Sequence, residues 1–225
     1  MEKKKDITRR QFLVAGAAVT LATLSGGYVA TRGPQIDYYE TAASGNISTD
    51  QSKVLVAYAS QYGTTGEVAR EIANTFVNQG VEADVKLIEN VTDLSQYNNV
   101  IVGSSVRIGK WLPEATEFVE NNKKQLSKLN VAYFLTSLTL GTSQKQEEKD
   151  EIAKILDDIQ QQIPEVKPLA KGLFAGVLDF SKLSPAMKMG LKIMGKVADK
   201  EMTEGDYRDW KAIGTWAREV KQIMS

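Results

Sequence analysis

From residue 53 onward, short apolar runs alternate with stripes of helical period. Val54-Leu55-Val56-Ala57-Tyr58 is almost wholly apolar, the pattern of a parallel strand covered on both faces. The following segment repeats Val68, Ile72, Phe76 and Val77 at helical spacing and stops at Gly80. Residues 83–89, ADVKLIE, alternate as a strand near a sheet edge does. Asn99-Val100-Ile101-Val102-Gly103 predicts a third strand, and a helix over 113–124 opens on Pro113, where a missing N–H costs nothing. A fourth strand is expected over 128–136, a polar helix over 144–161, a fifth strand over 171–177 and a closing helix over 209–224. Strands alternating with helices through short connections specify an α/β fold with a doubly wound, five-stranded parallel sheet.

Upstream the pattern changes. Residues 32–52 mix Gly, Pro, Ser, Thr and Asn with little periodicity and read as a linker, which leaves 53–225 as the folded domain. Residues 1–10, MEKKKDITRR, carry five basic and two acidic side chains, and no charge follows until Arg32. A basic head before an uncharged apolar run reads as a targeting segment, 1–31, to be kept out of the fold. The run is about as long as a helix needs to span hydrocarbon, so a removable signal and an uncleaved anchor over 11–31 both stand. Arg9-Arg10 followed by Phe12-Leu13 resembles the twin-arginine export signal. That resemblance implies passage of an already folded chain through the twin-arginine machinery. The destination would be the outer face of the cytoplasmic membrane or the periplasmic, extracytoplasmic space.

Charge and composition narrow the chemistry. Across 225 residues, 28 basic side chains balance 28 acidic ones, so nothing supplies the attraction on which nucleic-acid binding rests. There is no cysteine, which excludes disulfides, thiol catalysis and cysteine-bound clusters. There is no histidine either, which removes the commonest proton shuttle and zinc ligand, and no metal site is expected.

The densest chemical signal lies between the first strand and its helix. Ser60, Thr64 and Thr65 place three hydroxyls there, and Gly63 and Gly66 let the backbone curl closely. Hydroxyls together with the open N–H groups of a first helical turn make an anion site without lysine. The spacing is neither that of a Walker loop nor that of a Rossmann fingerprint. Taken by its chemistry alone, the loop is either such a site or a plain helix cap. Ser60-Gln61-Tyr62-Gly63-Thr64-Thr65 resembles the flavodoxin phosphate loop. By that resemblance Ser60, Gln61, Tyr62, Thr64 and Thr65 contact the phosphate of FMN, and Gly63 permits the turn. The likeness runs from about Lys53 to Val220 and implies a flavodoxin-like sheet of order 2-1-3-4-5. Within that superfamily the chain is most similar to the menaquinone-dependent protoporphyrinogen dehydrogenases.

Two further loops follow from the same resemblance. Gly103 to Trp111, at the end of the third strand, is similar to the GASIRYG segment of that family. It implies Ser104, Ser105, Arg107 and Gly109 as ring and ribityl residues, with Arg107 placed to stabilise charge on a reduced flavin. Trp111 either stacks there or packs the start of the next helix. Thr136, Ser137 and Leu138 begin the third loop, where flavodoxins often present an aromatic ring and this chain offers only Leu138 and Leu140.

Residues 179–200 carry Met187, Leu191, Met194 and Val197 at spacings of four, three and three, with Lys188, Lys192 and Lys196 on another side. A basic amphipathic helix of this kind either rests at a membrane surface, lines a site for a flat apolar ligand, or simply packs on the domain. The stretch 175–210 resembles the insertion of the protoporphyrinogen dehydrogenases, which is linked to substrate and quinone, although 177–182 lacks that family's arginines. Two functions are carried forward. One is an exported FMN-dependent oxidoreductase passing electrons between a reduced substrate or donor and a quinone or redox protein. The other is a non-catalytic electron carrier or binding module. No side-chain acid or base is assigned.

Overall fold

A computed structural model describes residues 38–43, 53–185, 187–191 and 203–225. Five parallel strands form its centre: β2 (Val54–Ala59), β3 (Ala83–Leu87), β4 (Asn99–Arg107), β6 (Asn130–Ser137) and β7 (Ala170–Ala175). Their order is β3-β2-β4-β6-β7, which is 2-1-3-4-5 counted among the parallel strands, as expected. The register pairs Val54 with both Ala83 and Asn99, and Val100 with Val131, so the carboxyl ends of the strands come out level.

Alternation along each buried strand divides the core. Leu55, Ala57, Val100, Val102, Tyr133 and Leu135 face α2 (Pro113–Leu126) and α4 (Gln146–Gln162), burying Val119 and Leu156. Val54, Val56, Tyr58, Ile101, Ala132 and Phe134 face α1 (Thr64–Val77) and α5 (Trp210–Ile223), burying Val68, Ile72, Ile213 and Ala217. Largely apolar strands with helices on both faces suit a parallel sheet. Two glycines set the closeness of these layers. A Cβ on Gly66 would lie 2.8 Å from the Tyr58 ring, and one on Gly103 would lie 2.0 Å from Phe134.

Several elements depart from expectation. Thr41–Ala43, inside the stretch read as linker, forms β1 and pairs antiparallel with β3 at the sheet edge. Beside it, Tyr39 N–H donates to the Tyr58 hydroxyl (2.9 Å), which donates back to Tyr39 O (3.1 Å). The third strand does not stop at Gly103: it continues to Arg107 and turns back as β5 (Lys110–Trp111). The third loop is in part a short helix, α3 (Leu138–Thr142), whose first turn is capped by Ser137.

The domain read as 53–225 separates into two units. Asp37–Val177 with Tyr207–Ser225 is one, and Leu178–Asp206 belongs to the other. That second stretch is the one set apart by its composition. In it the Asp179 carboxylate accepts from Ser181 N–H (2.8 Å), and Phe180 N–H donates to Glu204 (2.7 Å). The Ser184 hydroxyl accepts from Met187 N–H (3.3 Å) at the start of a helix that includes Leu191. Lys192, Met194, Lys196 and Val197 lie outside the described residues, as do 1–37 with their twin-arginine and anchor readings. Among the described residues no helix is long and apolar enough to cross a membrane.

Candidate functional site

The three singled-out loops leave the carboxyl ends of β2, β4 and β6, which are adjacent in the sheet. In an open α/β sheet this is where a crevice for a ligand forms.

The first loop has the features of an anion cradle. Gly63 adopts φ 81°, a left-handed conformation that a glycine enters without strain, and no side chain caps α1 behind it. Gly66 and Glu67 N–H both turn back to Gly63 O, at 3.0 and 3.4 Å. Helix geometry leaves the N–H groups ahead of them without carbonyl partners in the helix. The Ser60 hydroxyl is buried and has no hydrogen-bond partner among the described residues, a state that costs free energy unless a ligand or solvent group meets it. Gln61, Tyr62 and Thr64 are half-buried around it.

Side chains from different loops meet here. Thr65 is fully buried and its Oγ1 lies 2.9 Å from Thr136 Oγ1, which joins the first loop to the third. The Tyr62 hydroxyl is held above the ordinary tyrosine range, chiefly by burial, while the charge of Arg107 pulls it the other way. That electrostatic coupling joins the first loop to the second.

The second loop is a hairpin tip. Ile108 (φ 51°) and Gly109 (φ 69°) are both left-handed, as a two-residue turn matched to strand twist requires. Arg107, Ile108, Gly109 and Lys110 are exposed, and a Cβ on Gly109 would meet nothing within 4 Å. Ser105 is half-buried. Ser104, expected beside a ligand, is fully buried: its Oγ accepts from Leu112 N–H (3.0 Å) and donates to Ser105 O (2.9 Å). Its hydroxyl therefore braces the base of the hairpin. The two readings of Trp111 are resolved in favour of packing, since it is buried with its ring edge-on to Tyr133 at 5.3 Å.

In the third loop, Thr136 and Ser137 are buried, and the Ser137 hydroxyl accepts from Thr139 N–H at 3.3 Å. Leu138 and Leu140 are half-buried. The chain also brings in residues that sequence reasoning missed. Tyr207 N–H donates to Gly176 O (3.2 Å), and the Tyr207 Cβ lies 2.4 Å from where a Gly141 Cβ would stand. Arg208 reaches the first turn of α1, 2.8 Å from Glu67 Oε2. Neither residue belongs to a periodic pattern, and only the return of the chain at 207 places them. A cavity of about 480 Å³ lined by Asp157, Gln160, Gln161, Pro164 and Lys167 lies elsewhere and includes none of the three loops.

The chain is similar to several known proteins. The family described as flavodoxin domain matches residues 55–204. Protoporphyrinogen IX dehydrogenase (quinone) of Escherichia coli is 23% identical over 178 residues, covering 76% of this chain and 96% of that protein. Among solved structures, oxidised flavodoxin 2 from Bacillus cereus is 20% identical, covers 76% of this chain and 99% of its own, and has a TM-score of 0.48. Rubredoxin oxygen:oxidoreductase from Desulfovibrio gigas is 17% identical with a TM-score of 0.46 over 77% of this chain, which spans 37% of that larger protein.

Proposed function

The chain belongs to the flavodoxin domain family, and from that premise we propose that it binds FMN and passes electrons between a reduced donor and a quinone or redox protein. The observation that carries this reading is the buried, unpartnered Ser60 hydroxyl beside the uncapped start of α1. A phosphate dianion needs converging N–H and O–H donors, and this loop supplies both without a cation in the loop itself.

In this reading Ser60, Gln61, Tyr62, Thr64 and Thr65 hold the phosphate. Ser105, Arg107 and Gly109 of the second loop, with Thr136, Ser137 and Leu138 of the third, would hold the ring. The flavin, when bound, supplies hydride or single-electron transfer. Arg107 contributes an exposed positive charge and Thr136 fixes Thr65, while Ser104 acts one step back by holding the hairpin. Quinone as acceptor is supported by the quinone-linked activity for which the E. coli relative is named and by the methionine-bearing stripe that begins at Met187. Export is supported by Arg9-Arg10 and the apolar run behind them.

Purified protein should show the two visible bands of oxidised flavin, and mass analysis of the released cofactor should give FMN. A colourless protein that fails to take up added FMN overturns the reading. A non-catalytic carrier is the second reading, favoured by a chain without histidine or cysteine. Steady-state assays separate the two, because a carrier accepts electrons from a donor protein yet does not turn over a quinone analogue. Cell fractionation of a chain with both Arg9 and Arg10 changed to lysine tests export independently.

A further inference from the structure

We infer that Arg208 is a positioning residue of the phosphate site, setting the preference for a phosphorylated flavin by neutralising Glu67. The inference rests on the FMN reading above and extends it to a residue 141 positions away in the chain from its carboxylate partner.

Glu67 lies in the first turn of α1, the turn whose N–H groups form the cradle. A carboxylate there interacts favourably with the helix dipole, but it repels any dianion placed at the same terminus. Arg208 meets that carboxylate directly, with Nη1 2.8 Å from Glu67 Oε2. The same Nη1 points to Thr64 O, at 3.5 Å, within the loop itself. The guanidinium lies 4.3 Å from the Trp210 ring, and only 6% of the side chain is exposed. A cation beside a helix N-terminus is disfavoured by the dipole, so its burial there requires anions to offset it. Glu67 is one such anion and the phosphate of a bound nucleotide is a second.

The backbone on either side is fixed. Tyr207 N–H is bonded to Gly176 O (3.2 Å), and Asp209 caps α5 by accepting from Ala212 N–H (2.9 Å). Arg208 is therefore delivered to the loop by a braced segment. With the pair intact, the net charge that a phosphate meets from these two side chains is zero. Without Arg208 it is −1, carried by a half-buried carboxylate in the first turn of α1.

Riboflavin, which has the ring and ribityl chain but no phosphate, separates this electrostatic role from a packing role. Full-length apoprotein would be titrated with FMN and with riboflavin for wild type, Arg208→Met, Arg208→Gln and the double variant Arg208→Met/Glu67→Gln. Removing the charge should weaken FMN binding about tenfold and leave riboflavin within about twofold, and removing Glu67 as well should restore most of the loss. The gap between wild type and variant should narrow as salt is raised. Arg208→Gln keeps a polar donor near Thr64 O, which guards against the methionine variant failing to fold. Equal losses of FMN and riboflavin, or no loss in either Arg208 variant, overturn the inference while leaving FMN binding standing. A wild-type protein that binds riboflavin as tightly as FMN removes the phosphate assignment itself and this role with it.

Discussion

Thr65 and Thr136 meet between the first and third loops of the proposed FMN site. Each threonine is buried, and the 2.9 Å contact between them satisfies both while tying the first loop to the third. On the proposed FMN reading, Thr65→Ala removes a phosphate contact, and it also leaves Thr136 without that partner. FMN affinity should fall by about 1.5–3 kcal/mol, the scale of a charge-assisted hydrogen bond. Thr65→Ser, which keeps the oxygen, should retain most of it. Titration of each apoprotein decides the matter: an unchanged dissociation constant for the alanine variant confines Thr65 to bracing the loops. The sequence placed Thr65 correctly at the head of a helix because the apolar strand before it and the stripe after it are both strong. Thr136 could not be read as the partner, because 71 residues separate them and only the parallel pairings of β2 with β4 and of β4 with β6 bring the loops together. Arg208 was illegible for the same reason, as one arginine ahead of a helix with nothing periodic about it.

At the scale of elements, the hairpin β4–β5 shows what local pattern reading loses. Gly103 reads as a strand end, yet it sits inside β4 because only a hydrogen side chain fits beneath Phe134. Beyond it, Ser-Ser-Val-Arg alternates weakly, and the turn uses Ile108-Gly109 where Asn-Gly would be the usual signal. An isoleucine at φ 51° is strained, since its branched Cβ crowds the following carbonyl. Ile108→Asn should relieve this and raise unfolding free energy by about 1 kcal/mol, which chemical denaturation would register. A loss of stability would mean that the exposed isoleucine makes contacts that outweigh its strain. The five parallel strands and four of the flanking helices were legible because their apolar runs are continuous or strictly periodic. Strand β1, three residues long and at the edge, has no such pattern and is specified by its neighbours instead.

For the molecule as a whole, buried phenols link stability to alkaline pH. Burial pushes Tyr58 up to about 12, and raises Tyr62, Tyr97 and Tyr133 as well, with the Asp84 carboxylate adding to the effect on Tyr97. In the unfolded chain a tyrosine releases its proton near 10.0, whereas the folded one holds it longer. The unfolded state therefore binds fewer protons in that interval, and stability falls with rising pH. Urea midpoints should be level from neutrality to about pH 9 and then drop steeply above about pH 10. Equal midpoints on both sides of that boundary would contradict the assignment of these phenols as proton-holding. The strand Thr41–Ala43 has a consequence at the same scale, in colloidal behaviour. It covers the outer edge of β3, and Tyr39 beside it satisfies the Tyr58 hydroxyl on both its donor and acceptor sides. A chain begun at Asp37 keeps this cover, while a chain begun at Lys53 presents a row of open N–H and C=O groups to its neighbours in solution. Light scattering should find the longer chain monodisperse and the shorter one growing into aggregates with concentration. Three short edge residues would then decide whether the domain stays in solution, although none of them lies in the candidate site.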